Sequence, residues 1–208
     1  SNAMEQAMAK TSELCLEIDM TDPTVQMSLA MAMMNQGEPK ISSYFSKKEY
    51  AVLGEKFTAL TGQSASMMDM FKPMILASYV TMALFQCKNG VKAYETELTN
   101  KAKASGKPVH GIESAETQVN ALSSISDSTI IAMTKAMINA GKDKKATKAY
   151  QTMLDQTKEL VNLYKSQDVE ALFTYSTNTE MFKMNQKVML DDRNDSWIPK
   201  MEKMMKAK

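Results

Sequence analysis

The chain has 208 residues, 44% of them apolar and 24% charged, and carries a formal net charge of +1. Those proportions are ordinary for a folded globular body, and the length suffices for one substantial core in a single domain. A charge this close to zero offers no broad attraction to phosphate backbones or acidic membranes, so nucleic acid is not an expected partner.

Ser1-Asn2-Ala3 ahead of Met4 reads as the remnant of an expression tag and is set apart from a single domain over 4–208. The first predicted strand runs from Glu13 to Met20, apolar before its terminal acids. Pro23 and Thr24 then open a helix to Asn35, which Gly37 and Pro39 end. Ser46-Lys47-Lys48-Glu49 is a capping-box pattern, followed by Tyr50, Leu53, Phe57 and Leu60 at helical spacing. Pro73 suits the first turn of a helix reaching Cys87, and Val91 to Ser105 is the next one, with Asn89-Gly90 and Gly106-Lys107-Pro108 as the breaks. Met74 to Phe85, the most apolar stretch, is shorter than the roughly 20 residues a bilayer span needs. No transmembrane segment is expected.

Pro108 to Glu113 is the second predicted strand. Helices follow at Ala115 to Ile125, Ser128 to Ala140, Lys144 to Lys165, Val169 to Tyr175 and Glu180 to Lys206, with Gly141 as a stop and Pro199 kinking or restarting the last. Both strands are mostly apolar before their terminal acids, which suits parallel strands covered on two faces. The expected fold class is therefore α/β and predominantly helical, with helices packed on a small parallel sheet. Two strands are few for a stable sheet, so the sheet reads as truncated and its unpaired edges as sites of self-association. No internal repeat or long low-complexity linker is present.

Some residues carry chemistry. Glu17 and Asp19 are two apart on an extended segment and so share a face, while Glu113 closes the second strand. Carboxylates at strand ends can bind a divalent metal, act as a general base, or simply be solvated. Arg193 offers a rigid fork of donors that can clamp a carboxylate or stabilise an oxyanion; a surface salt bridge is the plainer reading. Asn194 can fix a neighbouring backbone group, and Trp197 is expected to pack in the core. Cys15 and Cys87 are expected to be free buried thiols. The chain has 21 methionines, clustered at Met31, Met33 and Met34, at Met67, Met68 and Met70, and at Met201, Met204 and Met205. They read as apolar helix faces rather than as a soft-metal site, and are a second candidate surface for self-association. Lys142, Lys144, Lys145 and Lys148 read as a solvated helix start.

Four stretches, in this order, resemble the TraB/GumN family, which includes the Tiki metalloproteases and is distantly similar in fold to ChaN-like and erythromycin-esterase-like proteins. Leu14-Cys15-Leu16-Glu17-Ile18-Asp19-Met20 looks like the family's early strand ending in Glu-x-Asp, and Phe71-Lys72-Pro73-Met74-Ile75-Leu76-Ala77 like its Lys-Pro-led helix. Tyr94 through Gln118, containing Gly111-Ile112-Glu113-Ser114, looks like its Gly-(Leu/Ile)-Glu-(Ser/Thr) strand end followed by a Gln. Arg193-Asn194 with Trp197 matches its Arg-Asn signature.

The resemblance implies a metal-dependent, peptidase-like hydrolase of the cell envelope or exported, holding a divalent ion of the Mn or Co type and acting on a peptide or protein substrate. It implies catalytic roles for Glu17, Glu113, Arg193 and Asn194, and a metal-facing role for Glu17 and Glu113. The family's two Gly-x-x-His motifs are missing from this sequence, whose one histidine is His110 in Gly-Lys-Pro-Val-His. The chain is therefore expected to be a central portion of the domain, inactive by itself and without a bound metal. The alternative is a non-enzymatic helical binding or regulatory module.

Overall fold

The computed structural model describes residues 2–85, 92–179 and 186–206. In chain order the elements are α1 (Asn2–Lys10), β1 (Leu14–Leu16), α2 (Pro23–Met33), α3 (Lys47–Thr61), α4 (Ile75–Phe85), α5 (Tyr94–Ala104), β2 (Val109–Gly111), α6 (Ala115–Leu122), α7 (Asp127–Asn139), α8 (Lys144–Ser166), α9 (Val169–Thr177) and α10 (Asp192–Lys206). The fold is predominantly helical α/β with a two-stranded parallel sheet, as expected. Contacts group the chain into two units, each drawn from separated segments. One comprises Ser1–Ala32, Asn89–Ala121 and Leu190–Lys208, the other Met33–Lys88 and Leu122–Met189. Cys87, the Asn89-Gly90 break, and the predicted helix starts at Val91 and Glu180 lie outside the described residues.

The second unit is a helical body around an apolar core. Leu53 and Phe57 of α3, Leu76, Tyr79 and Val80 of α4, and Ile130, Ile131, Met137 and Ile138 of α7 form one buried cluster with Ile41, Phe45, Met68 and Met74. Each fully buried Leu or Ile contributes about 1.5–3 kcal/mol relative to an exposed one. The Ser46 capping box forms: Glu49 N–H donates to Ser46 Oγ at 3.3 Å, and Ser46 N–H to Glu49 Oε2 at 2.9 Å. Gly62, at φ 72°, closes α3 in the left-handed conformation that glycine adopts without a Cβ penalty. At Gly54 a Cβ would meet Ala65 Cβ at 2.6 Å. Two 3-10 turns, Ile41–Tyr44 and Ala65–Met70, add to the elements expected from the sequence. Asp69 joins them, accepting the Ser42 N–H and hydroxyl at 2.7 Å each. Pro73 precedes α4 rather than occupying its first turn.

The first unit is built on the sheet. Leu14, Cys15 and Leu16 pair with Val109, His110 and Gly111, and the ladder continues past both strands through Ile112 N–H to Leu16 C=O and Glu113 N–H to Glu17 C=O at 2.8 Å. That last bond sets Glu17 and Glu113 side by side at the carboxyl ends of the strands. Gly111 is required by a close approach: a Cβ there would lie 2.6 Å from Asp19 N, where the chain leaving β1 crosses it. The strands are shorter than predicted and not covered on both faces, since Cys15 and His110 are exposed. Cys15 is thus a free thiol but not a buried one. The sequence reading also left out α1; the Lys107 ammonium donates to the Met8 and Thr11 carbonyls, tying the end of that helix to the residues before β2.

Candidate functional site

Glu113, the last residue before the turn into α6, has a side chain with no solvent exposure. A carboxylate there needs its lone pairs met, since an unsatisfied buried anion is costly. Four donors meet them. Oε1 accepts Arg193 Nε at 2.8 Å and Trp197 Nε1 at 2.6 Å; Oε2 accepts Gln118 Nε2 at 2.7 Å and Arg193 Nη2 at 2.9 Å. Burial would push this carboxyl up, yet the Arg193 bonds, the Trp197 indole, the guanidinium charge and Gln118 together hold it below the ordinary glutamate value.

Glu17 is built differently. Its side chain is 51% exposed, against 12% for Arg193. Oε2 accepts Arg193 Nη2 at 2.5 Å and Gln118 Nε2 at 3.0 Å. Among the described residues no hydrogen bond reaches its Oε1. Gln118 faces two carboxylates at once, which fixes its amide with the nitrogen inward. The bonds to Glu113, more than those to Glu17, hold the Arg193 guanidinium firmly protonated against a smaller opposing effect of burial.

The donors are delivered by two helices. Gln118 stands on α6, four residues after Ser114, whose Oγ accepts the Thr117 N–H. A π-helical turn at Lys187–Asp191 leads into α10. From α10, Arg193, Trp197, Lys200 and Met204 follow one another at spacings of four, three and four, one face of a helix. Arg193 and Trp197 reach Glu113, Lys200 Nζ donates to Ile112 C=O at 2.7 Å, and Met204 Sδ lies 4.0 Å from Cys15 Sγ. The helix continues through Pro199 without a restart. Arg193 also stacks on Trp197, its Cζ 5.2 Å from the ring centroid.

The structure therefore brings Glu17, Glu113 and Arg193 together and adds Gln118 and Trp197 to them. Trp197, expected in the core, is instead a half-buried donor whose indole N–H had to find a polar partner. Asn194 is exposed and makes no side-chain hydrogen bond to the cluster among the described residues. Asp19 turns away to accept the Thr21 N–H. His110 Nε2 lies 3.5 Å from Glu13 Oε2, apart from the cluster.

As a metal-binding set these residues are poor. Both oxygens of Glu113 are fully taken by N–H donors, Glu17 offers one oxygen, and no three His, Cys, Asp or Glu side chains gather to hold an ion among the described residues. The cluster does not by itself fit the divalent metal that the resemblance implies.

A small parallel sheet in a largely helical chain, with carboxylates at its strand ends clamped by a guanidinium from α10, defines an α/β protein with a polar site at the carboxyl end of a sheet. The sequence model of the TraB/PrgY/gumN family matches residues 1–208, and the chain belongs to that family. No curated protein and no solved structure matches it. No described helix is long and apolar enough to cross a membrane.

Proposed function

We propose that the protein is a peptidase-like hydrolase of the cell envelope, and that this chain supplies the carboxylate and guanidinium part of its site. The observation that carries the reading is the convergence of Glu17, Glu113 and Arg193 at the carboxyl ends of two parallel strands, with Glu17 half exposed. In open α/β sheets ligands bind at that end. Dependence on an ion of the Mn²⁺ or Co²⁺ type rests on the family and not on the cluster, where N–H donors occupy both Glu113 oxygens and one of the two on Glu17.

A carboxylate held by hydrogen bonds and open on one side is suited to general-base work: it orients a water and takes its proton as the water oxygen bonds to an acyl carbon. The same proton passes to the leaving amine when the carbon–nitrogen bond breaks. Arg193, fixed by Glu113, keeps Glu17 in place for that exchange.

The test is peptide hydrolysis by the protein across Mn²⁺ and Co²⁺ series, comparing wild type with Arg193→Ala and Glu17→Ala. Activity lost in both variants without unfolding supports the hydrolase. A wild-type protein that cleaves nothing across a broad peptide library overturns it. The second reading, a helical binding module, has its own supporting observation. The second unit holds a cavity of about 190 Å³ with an apolar lining that includes Phe57, Met68, Phe71, Ile75, Tyr79 and Met82.

A further inference from the structure

Two acids of the cluster have the same side chain and opposite circumstances. Each carboxylate oxygen has two lone pairs to satisfy. Arg193 Nε and Trp197 Nε1 each carry one hydrogen, while Arg193 Nη2 and Gln118 Nε2 carry two each. Those six N–H groups make six bonds: two to Glu113 Oε1, two to Glu113 Oε2 and two to Glu17 Oε2. Three oxygens are saturated by this set. The fourth, Glu17 Oε1, receives nothing among the described residues and belongs to the more exposed side chain.

We propose that Glu113 is a positioning residue and that Glu17 Oε1 is the single reactive carboxylate oxygen of the site. Glu113 has no lone pair to offer a water, a metal or a substrate without first breaking a buried hydrogen bond. Its chemistry is directed at the protein: it holds the guanidinium and the indole through three of its bonds, and the second hydrogen of Arg193 Nη2 then pins Glu17 by Oε2. With Oε2 pinned, Oε1 points to solvent. The division of labour between the acids follows from that asymmetry and not from their chemical type.

Assigning the proton-accepting step to Oε1 rests on the hydrolase reading; the difference in reactivity between the two acids does not. Two experiments separate them. The first activates carboxyl groups of the native chain with a water-soluble carbodiimide, traps them with an amine and reads site occupancy by mass spectrometry. Glu17 is expected to label at least tenfold faster than Glu113, with the gap closing in denaturant. Equal native rates at the two positions overturn the assignment.

The second measures the pH–rate profile of the protein as wild type, Glu17→Gln and Glu113→Gln. Glu17→Gln is expected to lose about 100-fold or more in kcat, the scale of general-base catalysis, together with the acidic limb of the profile. Glu113→Gln is expected to lower kcat less and to keep that limb. Loss of the limb in Glu113→Gln, with the limb retained in Glu17→Gln, overturns the proposal. If labelling separates the acids as expected but the protein hydrolyses nothing, the assignment of Glu113 as a positioning residue stands and the hydrolase reading fails.

Discussion

The two units of this chain are organised around opposite kinds of centre. One closes on an apolar cluster in which Ile41, Leu53, Met68 and Leu76 have no exposure at all. The other has a modest apolar interior, Leu14, Ala102, Ala115, Val119 and Ala121, and a fully buried carboxylate side chain among its interior groups. An apolar core is non-directional and tolerates repacking, whereas a hydrogen-bonded ion cluster has a fixed stoichiometry of donors and acceptors. The first kind of centre therefore serves stability, and the second commits sequence to geometry.

That contrast is broken most forcefully from the apolar side. Leu53→Ala removes a side chain with no exposure and is expected to cost about 3 kcal/mol, read as a lowered denaturant midpoint. Glu113→Gln keeps the shape but turns acceptors into an acceptor and a donor facing Arg193, Trp197 and Gln118. A loss of about 2 kcal/mol is expected from buried polar groups left unsatisfied, measured in the same unfolding experiment.

Gly111→Ala sharpens the comparison, because its obstacle is backbone at 2.6 Å while the neighbour of Gly54 is the Ala65 methyl group at the same distance. Overpacking against backbone is expected to cost about 1–3 kcal/mol. Gly54→Ala paired with Ala65→Gly should recover most of its own loss, and no such partner exists for Gly111.

The pH dependences differ in sign between the units. Glu113 has a lowered value when folded, so its contribution is present above the unfolded glutamate pKa of about 4.3 and disappears as pH falls through the lower folded value. Trp197 is the chain's one tryptophan, and its fluorescence should hold steady down to that window and change within it. Burial, helped slightly by Tyr150, pushes Tyr79 up to about 12. Its contribution is present below the unfolded tyrosine value of about 10 and is lost as pH rises from there to about 12, which ultraviolet titration of tyrosinate would follow.

Much of the polar centre was legible in the sequence. Position at strand ends and a helix start left Glu17, Glu113 and Arg193 open to bland readings, and it was the ordered motifs of the family resemblance that pointed to them together. The saturation of Glu113 was not legible, since it depends on rotamers and on a long-range approach that spacing does not encode. Trp197 was misplaced in the core because its apolar area suggested packing and its single N–H gave no hint of its partner. Asn194 shared a motif with Arg193 but, as the next residue on a helix, pointed elsewhere. The helices of the apolar unit were readable from caps such as Ser46 and stops such as Gly141. Its 3-10 turns were not, because a few residues hold no periodicity.

One feature of the polar cluster bears on the life of the chain before it acts. Arg193 is 176 residues from Glu17 and 80 from Glu113 along the sequence. During synthesis from the N-terminus both acids leave the ribosome long before the guanidinium that joins them, and contacts of such span form only after the entropy of closing large loops has been met. Assembly of the site thus reports that α10 has been made and docked. A chain that stops before α10 carries the acids without their clamp, so competence at this site is itself a mark that synthesis has passed Arg193.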